Sequence, residues 1–291
     1  MKRCDDRVTA VILTHNRRAE VTRTVERMRK LPERPPIIVV DNHSSDGTPE
    51  VLRRAFPEVE VIRAATNLGA AARNLGVRDA TTPYVALCDD DTWWAPGALG
   101  RAADLFAAYP RLAILTGRVL VGPERREDPA CQVMAASPLA GGKGLPGRPI
   151  LGFLAGASMV RRSAFLAVGG FDPRFFLGGE EALVAVDLVT AGWAIVYVAD
   201  IVVYHHPSPH RDVRARRQLL LRNALWFAWL RRPLPAALRQ TLRSARRAFR
   251  DPPLFRGWAQ ALRGLPWVLK HRRAVPAHVE AALRLLERRG G

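Results

Sequence analysis

The sequence predicts an α/β fold with a mainly parallel sheet flanked by helices, followed by a basic helical extension. Three observations predict it. In the first third, short apolar β-rich runs alternate with stretches of helical periodicity, the pattern of βαβ units. Polar and acidic residues gather directly after those runs, where open parallel sheets bind their ligands. The charge is also divided: 20 of the 45 Lys and Arg residues but only 4 of the 27 Asp and Glu residues follow His206, so that tail carries +16 and residues 1–206 only +2.

The elements follow in order. "VTAVILTH" (Val8–His15) is a first strand, and Val21, Val25, Met28 and Leu31 recur at helical spacing after it. "PPIIVVDN" is a second, buried strand bounded by Pro35 and Pro36. Ser44, Asp46 and Thr48 are cap or turn residues leading into a helix. "VEVIRAA", "GAAARNLGVRDA" and "YVALC" read as strand, helix and strand, then "APGALGRAADLFAAYP" as helix and "RLAILTGRVLVG" as strand. Glu124–Arg148 is rich in Gly, Pro and charge and reads as a long loop, a length that is usually functional or disordered. A helix, a turn at Gly192 and two strands complete residues 180–206, and the rest is helical, broken by prolines.

Composition narrows the class. A hydrophobic content of 48% with 25% charged residues is globular, not disordered. Cys4, Cys88 and Cys131 are odd in number and widely spaced, so neither a disulfide framework nor a metal-type pair is expected, and a reducing cytosol fits best. The N-terminus turns polar too soon for a secretory signal. The most apolar window, Ala182–Tyr204, contains Asp187, Gly192 and Asp200 and is not expected to cross a membrane.

Three strands deliver acceptor and turn residues to one edge: "THNR" (Thr14–Arg17), "DNHSSDGT" (Asp41–Thr48) and "DDDT" (Asp89–Thr92). Three adjacent carboxylates repel one another unless a positive charge sits among them. If Cys88–Asp91 continues the strand, Asp89 and Asp91 share one side and can share a hard divalent cation, Mg²⁺ or Mn²⁺, which favours oxygen ligands, keeps waters and binds substrate phosphates.

With these motifs the chain resembles a family 2 glycosyltransferase of the GT-A fold, over roughly residues 8–232. The likeness rests on "VILTHNR", "IIVVDNHSSDGT", "NLGAAARNLGV", "YVALCDDDTWW", "AVGGFDPRFF" and "RNALWFAWLRRP", in the family's order. It implies a sugar moved from a nucleotide-sugar donor (UDP- or dTDP-linked) to a hydroxyl of a glycan or lipid-linked acceptor of the bacterial cell surface or cell wall, with inversion. Thr14 and Asp41 would contact the nucleotide base or ribose and Arg73 would face the sugar nucleotide. Asn16, Arg17, Asn67 and Asp90 lie in the same motifs and are expected to join them. Asp89 and Asp91 would be the DxD-type pair meeting metal and diphosphate. His205 matches a family histidine that completes the metal site.

The family resembles itself further in a Glu-Asp pair whose second member is the general base. Here Glu180 and Glu181 fall at that pair, so Glu181 replaces the usual Asp, one methylene longer, and Asp187 stands where an Arg is expected. Gly178 and Gly179 permit a tight turn into the helix, and a carboxylate in a first helical turn is expected to stay ionised.

Two domains are expected, a GT-A catalytic domain at 1–206 and a basic extension at 207–291. In the extension, Arg mixed with Leu, Trp226, Phe227, Trp229, Trp258 and Trp267 suits an anionic membrane interface. A cytoplasmic enzyme, peripheral at the inner face of the membrane, is expected. The competing readings are weaker. Nucleic acid is not an expected partner, since no recognition motif accompanies the charge. A haloacid-dehalogenase-type phosphatase fails at Trp93 and lacks a suitably placed late lysine. A non-catalytic basic adaptor with a degenerate site is the alternative.

Overall fold

The computed structural model describes residues 6–140, 144–207 and 213–289; Cys4 lies outside them. The strands are β1 (Val8–Thr14), β2 (Ile37–Asp41), β3 (Glu60–Arg63), β4 (Tyr84–Asp89), β5 (Thr92–Trp94), β6 (Leu112–Val121), β7 (Arg126–Glu127), β8 (Arg148–Pro149), β9 (Ser158–Arg161) and β10 (Ala194–His205). They form one sheet in the order β3-β2-β1-β4-β9-β6-β10-β5, with β7 on β6 and β8 on β10. The sheet is flanked by α1 (Arg18–Arg29), α2 (Thr48–Ala55), α3 (Arg73–Asp79), α4 (Ala98–Ala108), α5 (Pro129–Ala135), α6 (Arg162–Ala167) and α7 (Glu180–Thr190). The extension contributes α8 (Val213–Arg231), α9 (Leu234–Ala248), α10 (Pro252–Arg263), α11 (Leu265–Lys270) and α12 (Ala277–Arg289).

The α/β expectation holds, with parallel order in β3-β2-β1-β4 and again between β6 and β10. β9 runs antiparallel to both of its neighbours and joins the two parallel parts. Helices cover both faces of the parallel half, which is why β1 and β2 are apolar along their length instead of alternating. Val21, Val25 and Met28 of α1 are fully buried, as their spacing predicts.

Two expected segments differ in the structure. The pair of strands expected at residues 194–206 is one strand, β10, whose register on β6 slips between Val198 and Val202; the bulge exposes Asp200, which is why the run reads as interrupted. The loop expected at Glu124–Arg148 holds β7 and α5, the latter capped by Asp128, which accepts from the Ala130 amide at 2.9 Å. Its residues 141–143 are outside the description.

The extension packs directly on the sheet domain. Phe175 and Leu183 share an apolar cluster with Leu225, Trp226 and Leu230 of α8 and Val268 of α11. Leu151 and Val186 share another with Val275 and Val279. Asp187 takes the guanidinium of Arg231 on two oxygens, at 2.5 and 2.9 Å. Where the family resemblance leads one to expect an arginine, this chain places the arginine on α8 and the carboxylate on α7.

Candidate active site

Two loops at the carboxyl edge of the sheet are locked together before any ligand is considered. Asp46 accepts from the Arg18 amide at the start of α1 and from the Thr48 amide at the start of α2, both at 3.1 Å. Burial alone would raise its pKa, but these donors, with the Thr48 hydroxyl, hold it below the ordinary value. Asn16, at φ 52, accepts from the Ser45 amide at 2.7 Å and donates its own amide to Ser44 Oγ at 2.9 Å. Asn16 therefore ties β1 to β2 and does not line the cavity beside them. Asn42 donates to Asn67 Oδ1 at 2.9 Å and accepts from the Leu68 amide at 2.8 Å, which fixes the segment entering α3.

A cavity of about 450 Å³ opens where these strands end. Thr14, Arg17, Asn67, Arg73, Asp89, Asp90 and Asp91 all line it, so most of the motif residues converge. Asp41 does not line it. Its side chain is fully enclosed, with Oδ2 accepting from the Ser44 amide at 3.1 Å and Oδ1 left without a partner.

The three consecutive carboxylates are answered by arginines. β4 ends at Asp89 and the chain turns, so the alternation expected through Asp91 breaks. Asp90 and Asp91, expected on opposite sides, both bind Arg17 Nη1 at 3.1 Å, whereas Asp89 pairs with Arg73. Thr14 donates to Asp90 at 3.1 Å and Thr24 to the Asp90 carbonyl at 2.7 Å. Gly156 lies against Asp89, and a Cβ there would meet its carboxylate at 2.5 Å. Burial, only partly offset by Arg17, and the neighbouring carboxylates push Asp90 up to about 7. Burial disfavours the Arg17 cation, but Asp90 and Asp91 outweigh it and raise its pKa.

His205 Nε2 lies 3.6 Å from Asp91 Oδ1, at the end of β10. Its neighbour His206 is exposed and edges toward Trp93. Among the described residues no set of three Asp, Glu, His or Cys side chains converges as a metal cage. Asp91 and His205 stand side by side, a carboxylate and an imidazole that could hold part of a cation's shell, with waters and substrate phosphates supplying the rest.

The second carboxylate group enters from α7. Gly178 and Gly179 take φ of 86 and 92, the left-handed turn the sequence implied. Phe175 and the turn are held from beneath by fully buried Asn223, whose Nδ2 lies 2.8 Å from the Phe175 carbonyl and 3.2 Å from that of Leu177. Glu180 is buried with Oε2 unpartnered, and Glu181 Oε1 accepts from the Ala155 amide at 3.4 Å. The expectation of a fully ionised Glu181 is corrected here. Desolvation first, then the charge of Glu180, lifts Glu181 to about 7, and burial raises Glu180 as well. Arg73 favours and Asp89 disfavours the Glu181 charge, so the base candidate and the acidic cluster share one electrostatic field.

Sequence reasoning missed Asn42, His15, Arg216 and the Phe176–Leu177 turn as cavity walls. Asn42 was readable as a polar residue ending a buried strand, whereas Arg216 reaches the site only through the packing of α8.

This arrangement defines a class: an enzyme of the GT-A glycosyltransferase fold. The mannosyltransferase PcManGT from Pyrobaculum calidifontis, solved with GDP-Man and Mn²⁺, matches with a TM-score of 0.59 at 21% identity, over 98% of this chain and 76% of its own. GalNAc-T7, solved with UDP, GalNAc and Mn²⁺, matches with a TM-score of 0.58 at 16% identity, over 77% of this chain and 50% of its own. Residues 9–169 match the glycosyl transferase family 2, and the chain belongs to that family. The N-acetylglucosaminyl-diphospho-decaprenol L-rhamnosyltransferase of Mycobacterium tuberculosis is 28% identical over 280 residues, 81% of this chain and 91% of that protein. The pre-mycofactocin glycosyltransferase of the same species is 31% identical over 222 residues, 72% of this chain and 45% of that protein.

Proposed function

We propose that this glycosyltransferase moves a sugar from a nucleoside-diphosphate donor to a hydroxyl of a lipid-linked glycan acceptor, with inversion. The observation that carries the reading is the Asp89–Asp91 cluster and its arginines lining one cavity, with Glu181, lifted to about 7, within the electrostatic reach of Arg73 and Asp89 of that lining. Thr14, Asn67, Arg73, Asp89 and Asp90 bind the donor, Arg17 steadies the acidic turn, and Asn16 and Asp41 hold the loops that shape the base and ribose site. Asp91 and His205, with Asp89, would hold a divalent cation, and its charge would favour departure of the diphosphate. Glu181 accepts the acceptor hydroxyl's proton, the oxygen attacks the anomeric carbon, and the bond to the β-phosphate breaks with its electron pair on the nucleoside diphosphate. Desolvation first, and the charge of Glu180 second, lift Glu181 to about 7, so the base is strong enough to take a hydroxyl proton.

The Mn²⁺ bound by the two solved neighbours supports a divalent cation. The decaprenol-linked acceptor in the name of the rhamnosyltransferase supports a lipid-linked acceptor. So does a second, largely apolar cavity of about 690 Å³, walled by Val133, Ile150, Leu151, Phe153, Leu154 and Leu286. Leu154 adjoins Ala155, the residue that binds Glu181, so an apolar tail there places its head group near the base. We assign the catalytic domain to residues 1–206 and a membrane-facing basic extension to 207–291. No described helix is long and apolar enough to cross a membrane, and we place the enzyme peripherally at the inner membrane face.

A donor panel tests the reading. Purified protein is given UDP-, dTDP- and GDP-sugars with Mn²⁺ and a polyprenyl-diphosphate-linked sugar, and the anomeric configuration of the product is read by NMR. One donor consumed with inversion is expected; retention, or no transfer with any donor, overturns it.

A further inference from the structure

The sequence points to the tryptophans of the extension as its membrane-facing residues, and the structure removes them from that role. Trp226 is buried and donates to the Ala261 carbonyl at 3.0 Å, and Trp229 donates to Thr241 Oγ1 at 2.9 Å. Trp258 and Trp267 pack on the same apolar cluster. Much of the arginine is also committed to structure: Arg222 binds the Phe175 carbonyl, Arg231 binds Asp187, and Arg232 binds Glu280.

A different surface is left over. On α9 Leu234, Leu238 and Leu242 are 54%, 52% and 62% exposed, and Phe249, just beyond its end, is 76% exposed. At ~100° per residue these positions fall within roughly 80° of one another, so they form a single ridge. The helix is seated on the body by small residues instead: Ala237, Ser244 and Ala248 are buried, and Thr241 is held by Trp229. Phe255, 47% exposed, lies 6.3 Å from Phe249 by ring centroids and carries the ridge across the turn into α10. The α9–α10 turn is fixed by Arg217 and Asp251 at 2.7 Å, and Gly257 lets α10 approach the α8 backbone, since a Cβ there would meet the Gln218 carbonyl oxygen at 2.5 Å.

The charge on this helix selects the occupant. α9 and the two residues after it carry Arg239, Arg243, Arg246, Arg247 and Arg250 and no acidic residue. Among the described residues none of these arginines has a carboxylate within ion-pair distance. A large exposed apolar ridge beside a purely basic band is the composition of a helix lying in a bilayer interface, with leucines dipping below the headgroups and arginines reaching the phosphates. A second copy of the chain fits poorly, because pairing two ridges brings two arginine bands together.

We propose that α9 and the α9–α10 turn are the element by which the protein seats on an anionic phospholipid bilayer, the Leu234–Leu238–Leu242–Phe249 ridge entering the apolar layer. The proposal rests on reading residues 207–291 as the membrane-facing extension, and it replaces the tryptophans with this ridge.

The test is co-sedimentation of the full chain with vesicles of phosphatidylcholine alone and of phosphatidylcholine with phosphatidylglycerol, at low and high salt. Wild type binds the mixed vesicles and keeps part of that binding at high salt. The neutral, helix-compatible triple variant Leu238→Gln, Leu242→Gln, Phe249→Gln weakens binding on the order of a hundredfold, from roughly 25 cal/mol per Å² of apolar area withdrawn from the membrane. Arg243→Gln with Arg246→Gln weakens binding chiefly at low salt. Calorimetric binding of nucleotide with Mn²⁺ is followed in parallel and is expected to survive the ridge substitutions, which separates failure here from failure of the donor site. Unchanged vesicle binding by the triple variant overturns the proposal. So does concentration-dependent dimerisation of wild type, without vesicle binding, that the variant abolishes.

Discussion

Replacing Glu181 by Gln is the perturbation that probes the chemistry most sharply. The carboxylate sits near 7 instead of the ordinary 4.5, first because it is desolvated and then because Glu180 adds a like charge. The ionised form is the active base, so activity is lost as pH falls through about 7. With a pKa of about 7, roughly a tenth is ionised at pH 6 and roughly nine-tenths at pH 8, so kcat/KM rises about tenfold across that interval. An unperturbed glutamate would leave it flat. The stability sign is opposite. A carboxyl whose folded pKa is raised favours folding while protonated, and that contribution is lost as pH rises from about 4.5 through about 7, at about 1.4 kcal/mol per unit. Glu181→Gln is therefore expected to melt higher than wild type at pH 8 while losing about 10²- to 10⁴-fold in kcat. Its residual activity should lack the rising limb, whereas a limb belonging to Asp90 would persist. The assay is the initial rate of acceptor-dependent nucleoside diphosphate release from pH 6 to pH 8. Near-wild-type turnover in Glu181→Gln, or a wild-type profile flat across pH 7, refutes the assignment.

Two further predictions follow from the geometry. Gly152 lines the apolar cavity with nothing within 4 Å of a Cβ built there, so Gly152→Trp should fill it without unfolding the protein; transfer to a long-chain polyprenyl acceptor should fall while transfer to a short-chain analogue persists, and equal loss on both contradicts the lipid-tail reading. Asn223→Ala leaves three carbonyls of the 175–178 turn without their buried donor, which should cost about 2–4 kcal/mol in denaturant unfolding and lower kcat through misplacement of Glu181; a loss under about 0.5 kcal/mol contradicts the role.

The parallel half of the fold was legible because β1, β2 and β4 are buried on both faces and read as unbroken apolar runs bounded by turn residues. The antiparallel insertion of β9 was not, since strand direction is set by the crossover path and leaves no mark on a four-residue run such as Ser158–Arg161. At the site, residue identities were readable and orientations were not. Alternation put Asp89 and Asp91 together, but the chain turns after Asp89 and the arginines sort the carboxylates differently. Likewise a first-turn position argued for an ionised Glu181, and only packing showed that burial outweighs the helix dipole. The tryptophans misled for a similar reason: amphipathic composition marks a helix with two faces without saying which face meets the body.

The most direct test of the donor site is calorimetric titration with UDP, dTDP and GDP, each with and without Mn²⁺, of wild type and of Asp91→Asn. Metal-dependent binding of one nucleotide is expected, with the metal dependence lost in Asp91→Asn. No binding of any nucleotide to folded wild type, or equal metal-dependent binding by Asp91→Asn, would contradict it.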